Sequence, residues 1–302
     1  MKKINIIMPF YNDADNIAKM LNSLKPLRTI IDLIIVDDKS NVNQFHKLRS
    51  IASQYDFVRI IQNTTEKKGA GVCRNIGLEY VNSEWLMFAD SDDHFLDNAF
   101  STISDHLNSD FDMIYFVPTS TDEHGNVGNR HNSYANYYKK LDNNDLRYSL
   151  PVVWSRLFKT KFVTDNNITF DETLVSNDRM FSLKSGIFAK KIDVEERSIY
   201  SWDYNSNSLT TRMSRERFLI NLSVFIRSDQ YLKKHLKDSE YQRFSESGLK
   251  MIASSLFRYK FGPRFTWSIS KKMRNNGLVL IRFRDLKKAL NFLKNNKYYQ
   301  SN

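Results

Sequence analysis

The segment EWLMFADSDD, residues 84–93, runs from four large apolar side chains straight into three aspartates spread over four positions. A short continuous apolar run closed by polar residues is the pattern of a strand buried on both faces. The same pattern recurs outward along the chain. INIIMP (4–9) is closed by proline, DLIIVDD (32–38) by two aspartates, and FVRIIQ (57–62) and DMIYFV (112–117) complete the set. Between these runs apolar residues return at helical spacing: Ile17, Met20, Leu21 and Leu24, with Asp13 or Asp15 expected as N-cap; Phe45, Leu48, Ala52 and Tyr55; Val72, Ile76 and Tyr80; Phe100, Ile103 and Leu107. Fully apolar strands alternating with helices specify an α/β fold with a doubly wound, mostly parallel sheet. Such sheets bind ligands beyond the carboxyl ends of their strands, where the strand order reverses. Three strands end in PFYN, VDDKS and ADSDD, so these clusters are expected at one edge.

The chain has 302 residues, 41% hydrophobic and 26% charged, which suffices for a buried core and restricts expected disorder to the NNKYYQSN tail. One cysteine, Cys73, excludes a disulfide within the chain and fits a reducing compartment; on its helix it reads as inert packing. The opening MKKINIIMPFYNDAD is too short in apolar residues for a signal segment, and no run approaches the ~18 needed to span a bilayer. The expected location is therefore cytoplasmic, with peripheral attachment to the inner face of the membrane left open. The net charge of +11 is uneven. Residues 213–302 carry 20 Lys and Arg against 6 Asp and Glu, whereas residues 1–212 are slightly acidic. Two regions are expected: 1–212, with a nucleotide part over 1–117 and an acceptor part over 118–212, and a basic helical region over 213–302. In the latter, Phe218, Leu222 and Phe225, then Leu249, Ile252 and Leu256, then Leu286, Leu290 and Leu293 form helical stripes. The polar stretch 118–150 is long for a loop, which suggests a functional segment.

Several clusters carry chemistry. In an extended segment Asp90 and Asp92 would share one side, and their hard oxygens suit Mn²⁺ or Mg²⁺, with open positions left for phosphate. A helix cap is the competing reading. Asp37 and Asp38 could accept from a nucleobase or ribose, or could cap the DDKSN turn. Gly69 and Gly71 open a helix beside Lys67 and Arg74, which suits either an anion or a tight turn. Trp154 fits core packing and sugar stacking alike. None of the six histidines stands at metal-ligand spacing, and His94 reads as an exposed loop residue.

Taken together, IIMPFYNDADNIAKMLNSL, LIIVDDKS, KKGAGVCRNIGLEYVNSEWLMFADSDD, VVWSRLFKTKFV and FDETLVSNDRMF resemble the family-2 glycosyltransferases of the GT-A fold, over about residues 1–212. The resemblance implies an inverting enzyme that moves a sugar from a nucleotide diphosphate, uridine being the base it favours, to an acceptor hydroxyl on a glycan or lipid-linked acceptor in surface-polysaccharide synthesis. By position, Pro9, Tyr11 and Asp38 would line the nucleoside pocket with Arg74 close by. Asp90 and Ser91 would contact the nucleotide sugar, Asp92 would hold a divalent metal on the diphosphate, and Asp178 would be the general base. Many members carry Glu-Asp where this chain has Asn177-Asp178, so a supporting carboxylate is lost. Asp178 could instead be a helix N-cap before RMFSLKSGI, while Asp93 sits too close to the metal-binding segment to serve easily as base.

Two other functions compete. A sugar-phosphate nucleotidyltransferase would want a glycine- and arginine-containing loop after the first strand, where this chain has PFYNDADN. A non-catalytic module binding sugar nucleotide or membrane would have no turnover to lose on mutation. Phosphotransfer domains that need an acidic nucleophile after the first strand fit poorly at Asn12 and Asp13. Residues 254–277 interleave Phe257, Tyr259, Phe261, Phe265 and Trp267 with six Lys and Arg. That pattern points to an anionic membrane surface or a helical cap, and only weakly to nucleic acid.

Overall fold

A computed structural model describes residues 2–122, 124–132, 134, 138, 144–204, 213–282 and 285–286. The chain divides into two compact units, Met1–Ser206 and Asn207–Asn302. The boundary expected at residue 212 lies outside the described residues, as do Leu290, Leu293 and the C-terminal tail.

Unit 1 is built on a seven-stranded sheet. Its strands are β1 (Ile4–Phe10), β2 (Ile31–Asp37), β3 (Val58–Gln62), β4 (Trp85–Phe88), β6 (Met113–Phe116), β8 (Arg156–Lys159) and β9 (Ile192–Glu195), in the order β3-β2-β1-β4-β8-β6-β9. Strands β1 to β4 pair in parallel, consistent with their largely apolar runs, and all four residues of β4 are buried. The sheet is mostly parallel, as expected; the exception is β8, which runs antiparallel to both β4 and β6. Ser155, at φ +56°, turns the chain into this strand, and its hydroxyl donates to the Phe116 carbonyl. A second sheet of β5 (His94–Phe95), β10 (Tyr200–Trp202) and β7 (Thr119–Ser120) lies in the order β5-β10-β7. Part of the polar stretch 118–150 is thus ordered strand and, at Asn144–Ser149, helix.

The helix Ile17–Leu24 begins after Asn16, so the caps expected from Asp13 or Asp15 are not made. Asp15 instead pairs with Lys47 and accepts from Gln44, and Asp13 accepts from Asn16 and Ser91. The helix Ala70–Leu78 runs beneath β1 and β2, where Gly77 lets the Ile7 side chain approach its backbone. Its Gly71 touches the segment before the helix Asp178–Phe188. A Cβ there would fall inside the contact radius of the Asp171 carbonyl oxygen and 2.8 Å from Asn177 Cβ.

Unit 2 is helical: Arg215–His235, Asp238–Phe244, Leu249–Ala253, a π turn at Ser254–Arg258, and Pro263–Asn275. Ser214 caps the first of these by accepting from the Arg217 amide, and Lys233, Lys234 and His235 meet the negative end of its dipole. The unit has its own core of Phe218, Leu222, Phe225, Ile226, Met251, Ile269, Met273 and Leu278. Among the described residues no helix is long and apolar enough to cross a membrane.

Gly71→Ala is expected to cost about 1–3 kcal/mol through overpacking, a fall of several degrees in Tm. An unchanged melting curve would show that the helix Ala70–Leu78 and the segment 171–177 are less tightly joined than described.

Candidate active site

The strand order turns at β1, with β2 on one side and β4 on the other. A crevice is therefore expected at the carboxyl ends of β1 and β4, where side chains from five segments meet. Asn12, at φ +49°, ties the end of β1 to the end of β2. Its amide donates to Ser40 Oγ at 2.9 Å, and its side-chain oxygen accepts from the Asn41 amide at 2.8 Å. Pro9 is half-buried beside it. Tyr11 is 54% exposed, and the Lys68 ammonium lies 5.6 Å from its ring centre. This exposed aromatic face can receive a flat apolar ligand group.

Asp37 and Asp38 divide their tasks. Asp37 accepts from the Ser40 amide and holds the turn, as its capping reading requires. Asp38 is buried and accepts from Asn63 Nδ2 at 2.8 Å and from the Gly69 amide at 2.7 Å. The anion at the start of the helix Ala70–Leu78 is thus the chain's own Asp38 carboxylate, which removes the reading of Gly69 and Gly71 as a phosphate cradle. Gly69, at φ +121°, takes a backbone conformation that other residues rarely adopt. Gly71 serves the close approach described above.

Arg74 is the centre of the site. Its side chain is 7% exposed; Nη2 donates to Asp90 Oδ1 at 2.6 Å and Nη1 to Asn177 Oδ1 at 2.7 Å, with the guanidinium over the Phe170 ring. One buried cation therefore joins the helix Ala70–Leu78, the acidic turn after β4 and the start of the helix Asp178–Phe188. Asn177 fills the place of the missing carboxylate with a neutral amide oxygen. The N-cap of this helix is Asn177 and Asp178 is its first residue, so Asp178 is not the cap that the competing reading expected. Burial pushes the Asp178 carboxyl above the usual range and the Asp90 charge pushes the same way; the Arg74 charge, a backbone hydrogen bond and the Arg156 charge pull it down. A raised carboxyl of this kind is suited to accepting a proton.

The acidic cluster is a turn, not the extended segment expected: the Asp93 amide donates to the Asp90 carbonyl at 3.3 Å. Tyr200 holds it. The Asp90 amide donates to the Tyr200 hydroxyl at 3.0 Å, and that hydroxyl donates to Asp93 Oδ2 at 2.6 Å. Asp93 Oδ1 accepts from the Asp203 amide at 2.9 Å. Burial, then the neighbouring Asp92 and Asp90 charges, raise the Asp93 carboxyl. Asp93 is thus a structural member of the turn. Ser91 Oγ donates to Asp13 Oδ2 at 3.1 Å.

His94 is not an exposed loop residue. It is mostly buried on β5, with Nδ1 2.7 Å from Asp203 Oδ2. Burial pushes Asp203 up, but hydrogen bonds from His94, Lys19, Thr121 and Ser201 outweigh it and hold the carboxyl below its usual range. Trp154 is buried and stacks on Tyr200, with ring centres 5.7 Å apart and planes at 15°, which favours the core reading. Cys73 is buried, and desolvation drives its thiol far up, so it is inert. Tyr200, Asp203 and Asn63 were not singled out in the sequence. They sit in segments without a distinguishing spacing, and only the paired strands reveal their partners.

Among the described residues no group of three or more His, Cys, Asp or Glu side chains could enclose a metal ion. The donor chemistry of the turn, aspartates without a thiolate and with the nearby His94 engaged by Asp203, suits a hard divalent cation with open positions in its shell.

Known proteins share the fold and part of the sequence. The family pattern described as Glycosyl transferase family 2 matches residues 5–163. The chain is 28% identical over 235 residues to the poly(ribitol-phosphate) beta-N-acetylglucosaminyltransferase TarP of Staphylococcus aureus, covering 71% of this chain and 68% of that protein. It is 27% identical over 206 residues to a poly(ribitol-phosphate) beta-glucosyltransferase of Bacillus spizizenii, covering 64% of this chain and 31% of the relative. The chain spans about a third of the length of the first curated relatives it matches. In fold it is similar to S. aureus TarS 1-349 in complex with UDP-GlcNAc, with a TM-score of 0.61 at 19% identity over 97% of this chain and 80% of that one. It is also similar to the mannosyltransferase PcManGT of Pyrobaculum calidifontis in complex with GDP-Man and Mn²⁺, with a TM-score of 0.62 at 11% identity, covering 98% and 84%. A family match across more than half its length, on a GT-A fold, means that the chain belongs to glycosyl transferase family 2.

Proposed function

We propose that this chain is an inverting glycosyltransferase, moving a sugar from a uridine diphosphate sugar to a hydroxyl of a glycan or lipid-linked acceptor in bacterial surface-polysaccharide synthesis, on the cytoplasmic side of the membrane. The observation that carries the proposal is the Arg74 bridge, which brings the acidic turn and the start of the Asp178 helix into one site. The activities of the TarP and Bacillus spizizenii relatives, and the UDP-GlcNAc bound by TarS, support the donor and acceptor classes.

In this reading unit 1 carries the reaction. Pro9 and Tyr11 receive the base, and Asp38 keeps that pocket in shape through Asn63 and Gly69. Arg74 and Asp90 orient the ribose and diphosphate, with Ser91 beside them. Asp92 would hold a divalent metal, manganese or magnesium, which when bound supplies positive charge for the departing diphosphate. Asp178 accepts the proton of the acceptor hydroxyl as its oxygen bonds to the anomeric carbon. The bond from that carbon to the diphosphate oxygen breaks on the opposite face, which inverts the configuration. The stretch 118–150 and unit 2 are the candidate determinants of acceptor choice.

Asp178→Asn should lower kcat by about 10²–10⁴-fold while uridine diphosphate affinity is kept; a variant with wild-type kcat would remove Asp178 from the chemistry. Because the Asp178 carboxyl is raised in the folded chain, its ionisation opposes folding above the ordinary carboxylate range. The Asn variant should therefore melt no lower than wild type at neutral pH. The acid limb of kcat/KM should lie above the ordinary carboxylate range, with activity lost as pH falls through it. A limb at the usual carboxylate position would contradict the assignment. Uridine diphosphate with Mn²⁺ should raise Tm more than either alone, and Asp92→Asn should abolish that extra shift. Equal shifts in wild type and Asp92→Asn would place the metal elsewhere.

A further inference from the structure

Unit 2 uses its aromatic residues in two ways that the sequence does not separate. Tyr259, Phe261 and Phe265 pack against the core, each with its ring centre within about 6 Å of Phe218 in edge-to-face contact. Phe257 and Trp267 remain 58% and 68% exposed. On the helix Pro263–Asn275 the inward residues are Thr266, Ile269 and Met273. At about 100° per residue, Arg264, Trp267, Lys271 and Arg274 fall on one stripe of the opposite face, and all four are exposed. The Lys271 ammonium lies 5.5 Å from the Trp267 ring centre. Over residues 254–277 there are six Lys and Arg and no Asp or Glu. An indole this exposed adds little to helix packing, and within residues 254–277 no acidic side chain offsets the cations.

We propose that this stripe, together with Phe257, seats unit 2 on an anionic lipid bilayer. The chemistry of the stripe is that of a helix lying in a membrane interface: a large amphipathic ring at headgroup depth, flanked by cations whose alkyl stems reach outward. Each Lys or Arg near an anionic surface adds about fivefold to the association at low salt, so the stripe responds to both lipid charge and ionic strength. The occupant is a bilayer and not a nucleic acid because the cations and the indole lie along the exposed outer face of one helix, whereas single-stranded nucleic acid is held in grooves lined with several stacking rings. The proposal does not depend on the glycosyltransfer reading, since binding is read without turnover.

The test is flotation of the full chain with vesicles of phosphatidylcholine alone and of phosphatidylcholine mixed with phosphatidylglycerol, at low and high salt. Binding is expected only to the mixed vesicles, weakened by salt, with a blue shift in tryptophan emission that Trp267→Phe reduces. Trp267→Ala and Phe257→Ala should each weaken binding by about tenfold, and Lys271→Glu with Arg274→Glu should abolish it. These positions are exposed, so the variants should keep the wild-type Tm and circular dichroism. Absence of flotation with the mixed vesicles at low salt would overturn the proposal. So would variants that fold and bind like wild type, or tighter binding to a single-stranded oligonucleotide than to the vesicles. Should one variant fail to fold, the remaining exposed-site variants and the emission shift of the unaltered chain still decide the outcome.

Discussion

The site depends on where the Arg74 guanidinium can put its charge. A buried arginine must find hydrogen-bond acceptors around its fork, and here they come from two segments far apart in the chain: Asp90 after β4 and Asn177 before the helix Asp178–Phe188. Neither segment could move away without leaving donors unmet. Arg74 is itself placed by the helix Ala70–Leu78, whose first turn is pinned by the Gly69 amide on Asp38 and by the contact of Gly71 with the segment 171–177. The chain of constraint therefore runs from the end of β2, through one helix, to the acidic turn and Asp178.

Contacts from Tyr200 and Asp203 fix the turn itself. Three aspartates so close would repel in any arrangement, and the structure relieves this by giving them different partners. Asp90 faces Arg74, while Asp93 faces the Tyr200 hydroxyl and the Asp203 amide. Asp203 in turn pairs with Lys19 and is hydrogen-bonded to His94. The small sheet that carries Tyr200 thus acts as a brace for the acidic turn, and Trp154, stacked on Tyr200, stiffens the brace instead of facing solvent.

Much of this was legible in residue order. The apolar runs at β1, β2, β4 and β6 gave away a covered sheet because a strand buried on both faces is mostly apolar, with the few buried polar side chains, such as Asn5, hydrogen-bonded. The clusters at their ends followed from the direction of the strands. Strand β8 was not legible as an antiparallel insertion: it is four residues long, contains Arg156 and Lys159, and takes its direction from pairing that no local pattern encodes. The expected caps at Asp13 and Asp15 failed because both side chains had tertiary partners. His94 was misread for the same reason, since the Asp203 carboxylate that buries it lies 109 residues away. Asp178 stood out only through resemblance to a family; the convergence of its segment with Arg74 is a property of the fold.

Whether Arg74 and Asp90 work as one unit is open to direct measurement by a double-mutant cycle on kcat/KM, using Arg74→Gln, Asp90→Asn and the double variant. If the bridge organises the site, the double variant should lose little more than the worse single one, giving a coupling well above the ~0.5 kcal/mol expected of independent positions. Losses that simply multiply would mean that the two residues act separately, and the account of a site held together by one buried cation would be wrong.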